Sequence, residues 1–170
     1  MKMKTLWTTR AARREDAADI TAIYNQGIED RVGTFETEPR TVAQIEAWFD
    51  HAYAFVSVED ETGVVVGYAV AHPYADRACY RGVGEFSVYV RRSERGRSVG
   101  QAAMSGLIEA SRAAGLWKLM SRVFPENRAS LNLMAQMGFS EIGVHKNHGK
   151  LDGVWRDCVI VERLLPENID

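Results

Sequence analysis

Two hydrophobic periods alternate along this chain, and the switches between them mark its elements. From Asp16, a residue suited to an N-cap with Asp19 three positions on, apolar residues recur at helical spacing at Ala17, Ile20, Ile23, Tyr24 and Gly27. A second helix is written in TVAQIEAWFDH (41–51). There Thr41 and Gln44 form a capping box, and Val42, Ile45, Trp48 and Phe49 make one apolar face. The intervening loop, RVGTFETEPR (31–40), carries a phenylalanine in its middle. YAFVSVED (53–60), a turn at ETG, and VVVGYAVAHPY (64–74) predict a hairpin, and GVGEFSVYV (82–90) a further strand. The helix after Gly100 carries Met104, Leu107, Ile108 and Ala114 and stops at Gly115, a residue suited to a left-handed cap. LWKLMSRVF (116–124) reads as a strand, 127–137 as a short helix closed by Gly138, and VWRDCVIVERLL (154–165) as a strand with β-branched residues at its centre.

The order is strand or loop, two helices, three strands, helix, strand, helix, two strands. It predicts an α/β fold with a mixed sheet and helices on both faces. The hairpin implies antiparallel pairing early, and the later alternation implies parallel pairing in the second half. At 170 residues the chain is expected to be one domain, 1–170, with a full hydrophobic core.

Composition narrows the function. Apolar residues make up 46% and charged residues 26%, which is ordinary for a globular protein. A net charge of -2 provides no global basic field for nucleic acid or an anionic membrane, so neither is expected as a partner. Cys79 and Cys158 are too few for a disulfide framework or a zinc site and read as reduced thiols of a cytoplasmic protein. No apolar run approaches the roughly 18 residues of a membrane span. The opening MKMKTLWTTRAARRED (1–16) lacks the apolar core of a secretory leader. His51, His72, His145 and His148 have no metal spacing, so no metal is expected, although His72 could border a site.

The stretch YVRRSERGRSVGQAAM (89–104) delivers a strand to a helix N-terminus through Gly96 and Gly100. It fits two readings. Backbone N–H groups at a helix start, with Arg95 and Arg97 beside them, suit a phosphate or pyrophosphate. A solvated glycine turn before an amphipathic helix accounts for the same residues. Nucleotide P-loop chemistry is excluded because the Gly-Lys-Ser/Thr ending is absent, and the third glycine of a dinucleotide fingerprint is missing.

RGRSVG (95–100) resembles the Gln/Arg-x-x-Gly-x-Gly/Ala pyrophosphate motif of the GCN5-related N-acetyltransferases, with Ser98 standing for the first core glycine. FETEP (35–39), RACYRGVGEFSVYV (77–90), NRASLNLMAQMGF (127–139) and GVWRD (153–157) are similar, in order and separation, to blocks of the phosphinothricin-type N-acetyltransferases. IYNQGIEDRVGTFET (23–37) and LDGVWRDCVIVERLL (151–165) resemble the arsinothricin branch of that family. The likeness covers most of the chain. It implies a mostly antiparallel mixed sheet with splayed parallel strands at an acetyl-CoA site. It also implies direct acetyl transfer in a ternary complex to the α-amino group of a small glutamate-like amino acid, and a homodimer with the last strands as interface.

The same resemblance assigns residues. Val88, Tyr89 and Val90 would pair with the pantetheine arm, Arg95, Gly96, Arg97, Ser98, Val99, Gly100 and Gln101 would grip the pyrophosphate, and Asn127 and Ser130 would meet the cofactor's thiol arm. Asn127 is equally explained as an N-cap. Glu85, an acid on an apolar strand, is implied as the general base that takes a proton from the substrate ammonium, directly or through water. The plain alternative is a salt-bridged strand residue. Arg77 would clamp the acidic end of the substrate, against the reading of a solvated loop arginine. Phe35 and Tyr80 would line the cleft, against simple packing. Trp155 and Asp157 would support the cleft or the dimer surface, and Asp152 stands where phosphinothricin enzymes carry a histidine. Arg91 and Arg92 are expected to be merely solvated. Two rivals remain: a related enzyme acetylating a polyamine or a protein N-terminus, and a non-catalytic acyl-CoA-binding domain.

Overall fold

A computed structural model describes residues 6–169; residues 1–5, which open the stretch read as too polar for a leader, and residue 170 lie outside it. Seven strands make one sheet: β1 (Thr8–Ala11), β2 (Ala54–Glu59), β3 (Val65–Pro73), β4 (Val83–Val90), β5 (Lys118–Val123), β6 (Ser140–Leu151) and β7 (Val154–Leu164). Four helices interrupt them: α1 (Ala17–Asp30), α2 (Val42–Glu46), α3 (Val99–Ala113) and α4 (Arg128–Gln136). The chain order is the expected one.

In space the strands run β1-β2-β3-β4-β5-β7-β6. Because β7 inserts between β5 and β6, both of its pairings are antiparallel, and β4 with β5 is the one parallel pair among the described strands. The expectation of parallel pairing through the second half is therefore corrected. The closing β6–β7 hairpin, not the helix–strand alternation, sets the pairing there.

The sheet is buried on both faces at its centre, which explains why β3 is apolar throughout rather than alternating. On one face Val66, Ala69 and Ala71 pack with Met104, Leu107 and Ile108 of α3. On the other, Val65, Tyr68 and Val70 pack with Ile20, Ile23 and Ile28 of α1 and Ile45 of α2. Helices thus cover both faces, as expected.

Local chemistry sets the helix ends, with some departures. Asp16 precedes α1, but its side chain makes no cap. Its carboxylate instead accepts from Arg10 at 2.7 and 2.9 Å, the Arg13 N–H at 2.8 Å and Ser57 Oγ at 3.0 Å. The Thr41–Gln44 capping box is present. After α2 the chain tightens into a 3-10 turn (Ala47–Asp50), so Ile45 is buried while Val42, assigned to the same face, is 41% exposed. Gly115 and Gly138 close α3 and α4 at φ +83° and +80°.

The feature that opens a site is the short β4–β5 ladder. It covers Val83–Lys118, Gly84–Leu119 and Glu85–Met120 and then stops. Beyond it the strands part, and Ser121 Oγ donates to the Phe86 carbonyl at 2.8 Å across the fork. The β4 edge past Phe86 is left facing open space.

Candidate active site

Two cavities meet at this fork. The larger, about 630 Å³, runs along 86–90 of β4 to the start of α3 and across to α4. The smaller, about 440 Å³, lies over Glu85 and is roofed by Phe35 and the β6 residues His148 and Gly149. Phe86, Ser87, Tyr89, Ser121, Arg122 and Phe124 belong to both walls, so the two spaces adjoin.

The arginine-glycine loop forms the far end of the larger cavity. Gly96 (φ +76°) and Ser98 (φ +66°) both take the left-handed backbone region, which turns the chain sharply into α3. Ser98 makes no side-chain cap. The first-turn N–H groups of a 15-residue helix, left without intrahelical partners, therefore sit beside the cavity, where backbone donors and the helix dipole favour an anion. Gly100 lets α3 and α4 approach closely: a Cβ there would stand 3.0 Å from the Leu133 side chain of α4, which would have to shift by a few tenths of an ångström. Gln101 Nε2 donates to Gln136 Oε1 at 2.7 Å and ties the two helices across the cavity mouth.

The expected cofactor residues divide. Val88, Tyr89, Val90, Arg95, Gly96, Ser98, Val99, Gly100, Gln101, Asn127 and Ser130 all line the larger cavity. Arg97 does not; its guanidinium lies over the Trp7 ring and pairs with Glu94, while Trp7 Nε1 donates to the Arg97 carbonyl at 2.8 Å. Arg95 pairs with Asp30, whose carboxyl is held below its usual range by hydrogen bonds from Arg92 and then Arg95. Asn127 Oδ1 accepts from the Ser130 N–H at 3.2 Å, a true N-cap, and its Nδ2 donates to the Val32 carbonyl at 3.1 Å.

Arg91 and Arg92 are not merely solvated. Arg91 donates to Asp19 at 3.0 Å and to the Val65 carbonyl at 2.8 Å, and Arg92 reaches Glu29 and Asp30 at 3.1 and 2.7 Å. Together they clamp the end of β4 to α1. Acidic residues on that helix attract them there, a partner the strand sequence alone did not reveal.

Around the smaller cavity, Phe35 lines the wall and packs edge-on against Phe124 with ring centroids 4.9 Å apart. Several bonds hold down the loop that carries it. Tyr89 Oη donates to the Gly33 carbonyl at 3.1 Å, Asn127 holds Val32, and Arg31 pairs with Asp152 at 2.9 Å. Burial pushes the Tyr89 phenol well up, so it stays a neutral donor. Asp152 thus serves as an anchor for the loop. Asp157 accepts from Lys146 Nζ and the Asn147 N–H, both at 2.9 Å, and so pins the β6 bulge that presents His148.

Glu85 lies on the wall of the smaller cavity, paired with Arg122 of β5. Arg122 also places Nη1 3.3 Å from His148 Nε2. Arg77 and Tyr80, by contrast, line neither cavity; the Arg77 guanidinium sits 5.7 Å from the Tyr80 ring on the turn before β4. His72 is in register with Glu85 across β3 and β4 but turns its ring onto Trp48, and burial, then His51, pushes its pKa down. Cys158 closes the floor of the smaller cavity. Sequence reasoning missed Ser121, Arg122, Phe124 and His148, since Arg122 is identifiable only once β5 is laid parallel to β4 with Met120 beside Glu85. Among the described residues no group of His, Cys, Asp and Glu is arranged to hold a metal ion, and no helix is long and apolar enough to cross a membrane.

A splayed parallel pair with a helix start at its open end is matched in sequence as well as shape. The model of the acetyltransferase (GNAT) family matches residues 20–139. The chain belongs to the GNAT acetyltransferases. It is 32% identical over 157 residues to an L-methionine sulfoximine/L-methionine sulfone acetyltransferase of Pseudomonas paraeruginosa, covering 90% of this chain and 91% of that one. It is 34% identical over 164 residues to a phosphinothricin N-acetyltransferase of Alcaligenes faecalis, covering 93% and 82%. Among solved structures it superposes on a GNAT-superfamily phosphinothricin acetyltransferase from Sinorhizobium meliloti, in complex with acetyl-CoA, with a TM-score of 0.87 and 29% identity, covering 95% and 89%. This GNAT chain is thus an N-acetyltransferase of the phosphinothricin and methionine sulfoximine acetyltransferase family.

Proposed function

We propose that the chain, acting as one domain, transfers the acetyl group of acetyl-CoA to the α-amino nitrogen of a glutamate-like toxic amino acid: methionine sulfoximine, phosphinothricin or arsinothricin. The observation that carries this reading is the junction of the two cavities at the β4–β5 fork. A long cavity ending at a helix N-terminus meets a short polar one holding a carboxylate.

The long cavity suits acetyl-CoA. Its pyrophosphate would meet the first-turn N–H groups of α3, Gly96 and Arg95, its pantetheine arm the open β4 edge at Val88, Tyr89 and Val90, and its thioester end Asn127 and Ser130. Bound there, acetyl-CoA supplies the acyl group and a thiol leaving group. The substrate ammonium must first become an amine, and Glu85 would receive its proton, directly or through a water. The nitrogen then bonds to the acetyl carbon as the carbon–sulfur bond breaks. Of the two protons the nitrogen sheds, one passes through Glu85 to solvent and the other ends on the departing sulfur. No enzyme nucleophile is needed, and positioning supplies much of the rate.

Phe35 would pack against the substrate's carbon chain. From the turn leading into β4, outside the two cavities, Arg77 would meet the distal acid group of a long substrate and Tyr80 would line the way to it. Acetylation removes the amine charge and adds bulk, which would detoxify a glutamate mimic. The exposed Val154 and Trp155 of β7 and Ile142 and Val144 of β6, 61, 55, 52 and 48% accessible, favour a homodimer through the last strands.

Thiol release from acetyl-CoA, measured against arsinothricin, phosphinothricin, methionine sulfoximine, glutamate and a polyamine, tests the reading. Turnover of the glutamate mimics supports it. Turnover of the polyamine alone overturns it.

A further inference from the structure

The cation in the substrate cavity is Arg122, and nothing in the family resemblance accounts for it. Its guanidinium stands on the wall common to both cavities, bound to Glu85 on one side and beside His148 on the other. Arg122 and Glu85 retain 38% and 32% side-chain accessibility, so the pair faces the cavity rather than the core. A carboxylate and a guanidinium side by side on one wall complement a zwitterion whose ammonium and carboxylate are attached to the same carbon.

From this we infer that Arg122 is the α-carboxylate anchor, and that the substrate itself releases Glu85 from its ion pair. When the α-carboxylate takes the Arg122 fork, the Glu85 oxygen it held is free to receive the ammonium. An arginine suits this task because two N–H groups can engage one carboxylate. His148 Nε2 accepts from Nη1 when it carries no proton, which fixes the plane of the fork while the other edge changes partner. An amine without an α-carboxylate leaves the Glu85–Arg122 pair closed and meets no free base. The cavity therefore selects amino acids over simple amines by using one anion to displace another. Arg77 lies outside this arrangement and is left for the distal acid.

This inference rests on the proposed function, and the test separates the two. The probes are methionine sulfoximine and its α-carboxamide, which keeps the amine and the side chain but carries no α-carboxylate. The wild-type enzyme is expected to prefer the acid. In Arg122→Gln, kcat/KM for the acid should fall about 10- to 100-fold, mostly through KM, as for loss of a charged hydrogen bond. The carboxamide should be unaffected or improved, because Glu85 is no longer occupied. Arg122→Lys, which keeps the charge without the fork, should give an intermediate acid-to-amide ratio and guards against a variant that fails to fold. An active wild-type enzyme whose acid-to-amide ratio survives in both variants overturns this inference alone. A wild-type enzyme inactive on both probes overturns the proposed function and this inference with it.

Discussion

Ser121 Oγ donates to the Phe86 carbonyl at 2.8 Å at the first residue pair beyond the β4–β5 ladder. A side chain takes the place of the next backbone bond, so the strands stay apart without leaving a carbonyl unpaired at the fork. Ser121→Ala removes that bond and is expected to cost about 1 kcal/mol of stability. It should also weaken acetyl-CoA binding several-fold by calorimetry, because the fork loses its fixed opening. Unchanged affinity would show that the fork is held by other contacts.

Ser98 adopts φ +66° with no cap from its hydroxyl. The position demands a backbone conformation and not a side-chain group. Ser98→Ala should therefore change acetyl-CoA affinity less than about twofold, whereas a β-branched valine, strongly disfavoured in the left-handed region, should weaken it clearly. A large loss in the alanine variant would mean that the hydroxyl itself binds.

The Asp16 carboxylate, almost fully buried, makes the sheet–α1 junction acid-sensitive. Burial alone would raise its pKa, but hydrogen bonds from Arg10, Arg13 and Ser57 outweigh that and lower it from 3.8. A depressed folded-state value means that the unfolded chain binds the proton more tightly. The contribution is complete above about pH 4 and is lost as pH falls through the lower folded value. Asp16→Asn should destabilise by about 2–3 kcal/mol in urea titrations at pH 7 and flatten the acid limb of the stability curve, since Arg10 would keep only Glu59 as an ionic partner.

The two thiols should differ in reactivity. Cys79 is exposed, while burial raises the pKa of Cys158 beside the smaller cavity. Iodoacetamide on the native protein at pH 8 is expected to label Cys79 and spare Cys158, read by peptide mass spectrometry. Rapid labelling of Cys158 would mean that the cavity floor opens in solution.

Much of this was legible in the sequence because local chemistry wrote it. The Thr41–Gln44 box, the glycines at 115 and 138 and the apolar periods of α1 and α3 place elements without reference to anything distant. The arginine-glycine turn into α3 was legible for the same reason: two glycines, a strand and a helix are contiguous. What failed was what depends on partners far along the chain. Asp16 stands at a cap position yet bonds to Arg10 and Ser57, and Arg97 is drawn off by Trp7. Arg122 carries no local mark, since its meaning comes from Glu85, 37 residues earlier, and from a parallel register that only the fold supplies. The resemblance filled part of that gap by placing Glu85 and Phe35 in one site.

The central claim, that the fork joins an acetyl-CoA cavity to the base Glu85, is tested most directly by Glu85→Gln. Acetyl-CoA binding by calorimetry and thiol release with methionine sulfoximine would be measured on the same preparation. The account expects affinity for acetyl-CoA within about twofold of wild type and turnover reduced at least about 100-fold, the usual contribution of a positioned base. Full turnover in that variant would contradict it.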